Sequence, residues 1–230
     1  TILGLVWIKK SIFPRSNKTI TFNLNIKQYL NYSLFNALGI MSLMSLDVLM
    51  VRVLFSEHNS GIYSSMSVLG RMIFFGMSPL STLILPMASK RFSEGKNHSQ
   101  VFKKLGLVSM LIGASAIGVF TIFPEILVQT LSGSRFTESI ALLPLFSISM
   151  AFFSFNQFLL SYFMAIGKQE SNKLLLVVAC LQPVLILIFK STLYSVVAVN
   201  LSLQTLLLIS LLIYHLKPES SSVKINHGFK

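Results

Sequence analysis

Charged side chains are scarce in this sequence, and acidic ones most of all. Of its 230 residues 11% are charged, with seven Asp and Glu against nineteen Lys and Arg, while 53% are hydrophobic. A soluble domain carries roughly 25% charged residues, so the chain lacks the polar surface that a water-facing globule needs. The single cysteine, Cys180, excludes an intrachain disulfide, and its apolar surroundings predict a packing role. A soluble enzyme, a disordered chain and a disulfide scaffold fit poorly, which leaves a multi-spanning membrane protein.

Groups that carry catalysis are scarce as well. The four histidines fall in connections between apolar segments, at the end of a segment or in the tail: His58, His98, His215 and His227. No segment therefore presents a pair of metal ligands, and no glycine-rich phosphate loop precedes a Lys-Ser or Lys-Thr pair. We predict no catalytic residue, no metal, no cofactor and no enzyme. The basic loops also lack interleaved aromatic residues, which argues against a nucleic-acid partner.

Long apolar segments are what the sequence does contain. Six can be marked, at residues 29–55, 61–89, 105–131, 140–166, 171–189 and 193–214. A hydrocarbon core about 30 Å thick needs about 20 helical residues, and each segment reaches or nearly reaches that length. Barrel strands are shorter, at about 10 residues, and alternate in polarity. The sequence therefore predicts an all-α, polytopic membrane helix bundle with six transmembrane helices.

The basic residues predict how the bundle is oriented. Fifteen of them fall before the first segment, in every second connection and in the tail, whereas the opposite connections hold only Arg135 and Lys190. The fifteen are Lys9, Lys10, Arg15, Lys18, Lys27, Lys90, Arg91, Lys96, Lys103, Lys104, Lys168, Lys173, Lys217, Lys224 and Lys230. Because cytoplasmic loops collect Lys and Arg, we predict a multi-pass protein with both ends of the chain in the cytoplasm.

Four regions follow from this pattern. We interpret residues 1–8 as the truncated end of a preceding transmembrane helix, because the chain opens on Thr1 with an apolar run. Residues 9–28 read as a basic cytoplasmic linker lying on the inner leaflet, where its lysines meet anionic headgroups. Residues 29–216 form the six-helix lobe, and residues 217–230 a basic cytoplasmic tail.

Charged residues inside the apolar segments are the natural functional candidates, because a charge is costly in hydrocarbon. Counting from the turn between the first two segments, Asp47 and Arg71 lie at depths of about 12 and 15 Å, so the two can pair. Two interpretations stay open: an ion pair that pins two helices, or a polar cavity in which Arg71 attracts an anion. Arg52 lies about a turn from the outer boundary, can snorkel to the surface, and is a further candidate.

Amides and prolines complete the set of candidates. Asn36, Asn156 and Gln182 are predicted to line a substrate cavity, since amides in lipid need polar partners. Gln157 points about 100° away from Asn156 on a helix, so one of the two is expected to bond a neighbouring helix instead. Prolines are predicted to break four of the six segments and favour gating over packing: Pro79, Pro86, Pro124, Pro144 and Pro183.

The first two segments resemble a known family. The stretches that carry the resemblance are Asp47-Val-Leu-Met-Val-Arg52-Val-Leu-Phe, Ser60-Gly61-Ile62-Tyr63-Ser64 and Pro79-Leu-Ser-Thr-Leu-Ile-Leu-Pro86, followed by Lys90-Arg91. They resemble bacterial polysaccharide flippases of the MATE-like (MOP) superfamily, which export O-antigen and similar units. One departure is visible, because such proteins often carry a proline early in the first of these spans, where this chain has Tyr32-Ser-Leu-Phe35.

The resemblance implies two six-helix lobes around a central cavity, with this chain as the C-terminal lobe and the missing N-terminal lobe as its partner. It implies membrane lipids as surroundings and a lipid-linked oligosaccharide on an isoprenoid pyrophosphate as substrate. The protein would flip that substrate across the bacterial inner membrane by alternating access. No catalytic residue is implied.

Other functions stay open. A cation-coupled multidrug exporter of the same superfamily would need a carboxylate near the middle of the membrane, and Asp47 is a candidate for it. A membrane-embedded polysaccharide polymerase or ligase would need a large outer loop, whereas the predicted outer connections are short. A non-transporting scaffold subunit is a further alternative.

Overall fold

The computed structural model describes residues 26–216, with side chains described for residues 31–133 and 136–216. The predicted truncated helix at 1–8, nearly all of the linker at 9–28 and the tail at 217–230 lie outside the described residues.

Helices dominate the described part of the chain, in which no strand occurs. The α-helices are α1 (Ile26–Leu54), α2 (Glu57–Ser93), α3 (Ser99–Ile122), α4 (Pro124–Leu131), α5 (Leu143–Ala165), α6 (Asn172–Ile188) and α7 (Leu193–Leu216). Short 3-10 helices lie at Ser134–Ala141 and Gln169–Ser171. Within residues 26–216, six helices are long and apolar enough to cross a membrane. The predicted all-α membrane helix bundle is therefore confirmed.

The five prolines of the apolar segments lie in three settings: inside a helix, at a break between two helices, or in the first turn of a helix. Pro79, Pro86 and Pro183 lie inside α2 and α6. The predicted third segment at 105–131 is interrupted, because α3 ends at Ile122 and α4 begins at Pro124. Proline has no backbone N–H to donate, and its ring clashes with the carbonyl four residues earlier in a continuous helix. The predicted break at Pro144 is wrong, because Pro144 lies in the first turn of α5, where a backbone N–H has no intrahelical partner to lose.

The connections at both ends of α2 are closed by hydrogen bonds. The predicted five-residue turn at 56–60 shrinks to two residues, because Ser56 already caps α2 by accepting a 3.4 Å hydrogen bond from the Asn59 N–H. At the other end of α2, Gly95 adopts a left-handed φ of 65°. This lets the Lys96 N–H reach the Arg91 carbonyl at 2.9 Å and turn the chain back towards α3.

Helix α5 lies at the centre of the bundle. It packs against α2, α3 and α7, while α1 packs mainly against α6. In the most apolar stretch of α5, 67% of the residues are buried, whereas the corresponding share in α1 and in α3 is 22%. Helices α2 and α5 approach each other closely at Gly70, where a methyl group would overlap the Phe146 ring. The small residue is thus required by the packing of the two most intimately paired helices.

Large apolar side chains also cover the outside of the bundle. Exposed examples are Met41 and Val53 on α1, Phe75 on α2, Ile122 on α3 and Leu216 on α7. Soluble monomers rarely expose contiguous apolar patches larger than a few hundred Å². The many exposed apolar side chains and the six long helices together describe a multi-pass membrane protein.

Candidate functional site

The Asp47 carboxylate lies in the interior of the bundle, where α1 meets α2. Its side chain is 1% exposed. One oxygen, Oδ1, accepts the Val48 N–H at 2.8 Å and lies 3.7 Å from Arg71 Nη2. The other, Oδ2, accepts the Tyr63 hydroxyl at 2.9 Å. The pairing of Asp47 with Arg71 that the helical depths predict is therefore present.

Arg71 is held less completely than its partner. Its Nη2 also donates to the Met44 carbonyl on α1. Its Nε is buried and has no hydrogen-bond partner among the described residues, while the side chain as a whole is 24% exposed. A guanidinium carries five N–H donors. Arg71 thus keeps donor capacity and partial access, whereas Asp47 is enclosed.

A chain of hydrogen bonds continues from Asp47 across the bundle. The Tyr63 hydroxyl accepts a 2.9 Å hydrogen bond from Asn200 Nδ2 on α7. Asn200 Oδ1 in turn accepts one of 2.9 Å from Gln182 Nε2 on α6, which also donates to the Leu43 carbonyl at 3.3 Å. We call Asp47, Tyr63, Arg71, Gln182 and Asn200 the Asp47 network. It joins α1, α2, α6 and α7 in the interior of the bundle.

A second polar contact lies one helical turn further along α7. Asn156 on α5 donates through Nδ2 to the Gln204 carbonyl at 3.0 Å and to Gln204 Oε1 at 3.2 Å. Gln157 is half-buried, and its Oε1 has no partner among the described residues. The amide that bonds a neighbouring helix is thus Asn156. Asn200 and Gln204 are four residues apart, so the two contacts share one face of α7.

The remaining predicted residues lie elsewhere. Asn36 is half-buried on α1, and its Oδ1 has no partner within the described part of the chain. Arg52 lies in the last turn of α1 and is exposed, as expected for a snorkelling side chain. Asp47, Arg71 and Gln182 are therefore brought together, while Asn36, Arg52 and Asn156 are not part of their network. Whether these residues line a substrate cavity stays a prediction.

Three residues of these polar contacts, Tyr63, Asn200 and Gln204, were not predicted from the sequence. Tyr63 is fully buried, and its partner Asn200 is 137 positions away in the chain, a separation that no local pattern reveals. Asn200 and Gln204 did carry a signal, because two amides four residues apart in an apolar helix indicate a polar interface. A search for such pairs would have found them.

A cluster of mostly basic side chains lies outside the apolar part of the bundle, at the end of α2. Five side chains line an open groove of about 350 Å³ there: Met87, Lys90, Arg91, Glu94 and Lys96. Lys96 Nζ lies 2.7 Å from Glu94 Oε2, and its hydrogen bond and charge hold the pKa of the Glu94 carboxyl below its usual value. Such a basic end is typical of a cytoplasmic boundary.

The Asp47 network consists of an ion pair and of hydrogen bonds between side chains. Across residues 31–133 and 136–216, no three His, Cys, Asp or Glu side chains lie close enough to hold a metal ion. Comparison of the chain with protein-family models, curated proteins and solved structures found no match. What the Asp47 network offers is an enclosed carboxylate with its own donors and a more accessible guanidinium suited to an anion.

Proposed function

We propose that the protein is the C-terminal lobe of a transporter that flips a lipid-linked oligosaccharide, carried on an isoprenoid pyrophosphate, across the bacterial inner membrane. The six membrane-spanning helices support a transporter, and the buried polar network supports a polar path within it. The resemblance of the first two spans to polysaccharide flippases supplies the substrate class. The basic connections lie in the cytoplasm in this proposal.

The observation that carries the proposal is that Arg71 is partly exposed while its partner Asp47 is enclosed. A pair that only pinned two helices would bury both charges alike, yet Asp47 is 1% exposed and Arg71 24%. Asp47 also has two hydrogen-bond donors besides Arg71, from Tyr63 and the Val48 backbone. The guanidinium therefore has a charge and free donors to offer a second anion. A pyrophosphate suits it, because guanidinium binds phosphate oxygens in a bidentate manner and stays charged when desolvated.

Alternating access gives the site a way to serve both leaflets. In this mechanism the lobe rocks against the missing N-terminal lobe, so that Arg71 faces each side of the membrane in turn. Pro79 and Pro86 inside α2, and Pro183 inside α6, supply points at which these helices can bend. The oligosaccharide stays in the aqueous path while the isoprenoid tail remains in lipid.

A cation-coupled drug exporter is the second candidate, and the buried carboxylate of Asp47 is the observation that favours it. A cationic drug would have to reach that carboxylate. Asp47 is enclosed by Tyr63 and Arg71, and the accessible member of the pair is the cation. The flippase is therefore the better-supported function.

The two functions respond oppositely to substitution of the pair. In cells that depend on the complete transporter for surface polysaccharide, Arg71→Gln should abolish export without reducing membrane insertion. The control is Lys190→Gln, which removes an exposed positive charge between α6 and α7 and should leave export unchanged. Export that survives Arg71→Gln would count against the flippase. Loss of drug resistance in Asp47→Asn, with polysaccharide export intact, would favour the exporter.

A further inference from the structure

The hydrogen bonds of the Asp47 network share one direction. Gln182 donates to Asn200, Asn200 donates to Tyr63, and the Tyr63 hydroxyl, having accepted that bond, donates to Asp47. Each donor is thus turned towards the carboxylate. Because Asn200 occupies the Tyr63 oxygen as an acceptor, the hydroxyl proton is left to point at Asp47. Aligned donors of this kind polarise one another and stabilise negative charge at the end of the chain.

This arrangement changes what Arg71 is free to do. In an ordinary buried ion pair, withdrawing one partner leaves an uncompensated charge, which is strongly destabilising. Asp47 keeps the Tyr63 hydroxyl and the Val48 N–H when Arg71 moves away. Arg71 Nη2, 3.7 Å from Oδ1, is an ion-pair partner beyond hydrogen-bond distance, whereas the Tyr63 hydroxyl and the Val48 N–H donate to the carboxylate at 2.9 and 2.8 Å. Its attachment to Asp47 is therefore the contact most easily exchanged.

We propose that Tyr63, oriented by Asn200 and Gln182, is a positioning residue that compensates the negative charge of Asp47. Arg71 can therefore leave the Asp47 carboxylate and bind a phosphate of the substrate instead. The exchange breaks and forms only ion pairs and hydrogen bonds. That the incoming anion is an isoprenoid diphosphate rests on the proposed function. The compensation of the same Asp47 carboxylate by both Tyr63 and Arg71 does not depend on the proposed function.

A test without ligand uses thermal unfolding of the full chain in lipid nanodiscs. Tyr63→Phe and Arg71→Gln should each lower the midpoint modestly, because two of the three groups that compensate the Asp47 charge remain. Together they should lower it by more than the sum of the two shifts, since Asp47 then has only the Val48 N–H. Adding Asp47→Asn should remove this excess. Additive shifts would overturn the proposal.

A matched control is Tyr162→Phe. Tyr162 is also a buried tyrosine, on α5, and its hydroxyl lies 2.9 Å from His98 Nδ1. Because it does not touch Asp47, its shift should simply add to that of Arg71→Gln. If Tyr63→Phe fails to fold, Asn200→Ala takes its place in the cycle. It leaves the Tyr63 hydroxyl but no longer orients it, so the excess is expected to be smaller than with Tyr63→Phe. An excess that appears equally with Tyr162→Phe would also overturn the proposal.

A binding measurement supplies the second readout, with farnesyl diphosphate titrated into the full chain in nanodiscs. Tyr63→Phe should weaken binding about tenfold, since a hydrogen bond to a charged group is worth at least that factor in an equilibrium constant. Arg71 is then the main remaining partner of Asp47 and is harder to detach. Tyr63→Phe combined with Asp47→Asn should restore affinity, because no carboxylate then competes for Arg71.

The two readouts separate the two proposals. Unchanged affinity in Tyr63→Phe, or no recovery in the double variant, would overturn the positioning role. A wild-type chain that binds no farnesyl diphosphate, although the unfolding cycle shows the excess, would contradict the diphosphate as a ligand. That result would support the compensation of Asp47 by both Tyr63 and Arg71.

Discussion

Arg71→Gln gives a stability change that can be worked out from the structure. The Nη2–Oδ1 distance of 3.7 Å corresponds to a Coulomb attraction of about 4.5 kcal/mol at an effective dielectric constant of about 20. Part of this is lost to the desolvation of both charges. In this variant Asp47 keeps its hydrogen bonds from the Tyr63 hydroxyl and the Val48 N–H.

The substitution also removes the charged hydrogen bond from Arg71 to the Met44 carbonyl, so the net loss should be about 1.5–3 kcal/mol. This lies at or below the lower end of the 3–5 kcal/mol that is typical when a buried charge is left unpaired. The free energy of unfolding, measured in mixed micelles with increasing denaturing detergent, checks the value. Arg71→Lys, which keeps the charge, is the control and should lose less. A loss of roughly 4 kcal/mol or more for Arg71→Gln would mean that Arg71 is the essential partner of Asp47, which would refute the reasoning that it is exchangeable.

Two other predictions concern packing and orientation. Gly70→Ala should destabilise the bundle by about 1–3 kcal/mol, because the new methyl group overlaps the Phe146 ring; Gly76→Ala, where no atom lies within 4 Å of the added Cβ, should be neutral or slightly stabilising in the same unfolding assay. Reporter fusions after Lys96 and after Ser191 should read cytoplasmic and external respectively, since basic connections stay inside; the opposite pattern would reverse the orientation.

Hydropathy and helical geometry were enough to predict the framework. The six apolar segments correspond to the long helices, because lipid-facing and core-facing positions are both apolar and the signal is strong. The pairing of Asp47 with Arg71 was also predictable, since a short turn fixes the register of two antiparallel helices. It required only the rise of 1.5 Å per residue.

What the sequence did not reveal depends on contacts between distant segments. The bond between Tyr63 and Asn200 joins α2 to α7, and their proximity follows from how the helices pack around α5. The break at Pro124 was predicted correctly, whereas Pro144 lies in the first turn of a helix. Proline marks either a break or a first turn. Which of the two occurs depends on the preceding residues and their tertiary contacts.

The most direct test of the central claim, that Arg71 receives an anionic lipid, is the affinity of the full chain for a radiolabelled isoprenoid diphosphate in nanodiscs of neutral lipid. Binding should be saturable, should fall at least about tenfold in Arg71→Gln, and should be unchanged in Lys190→Gln, which removes an exposed positive charge. Equal binding by the wild type and Arg71→Gln, or an equal loss in both variants, would contradict the claim.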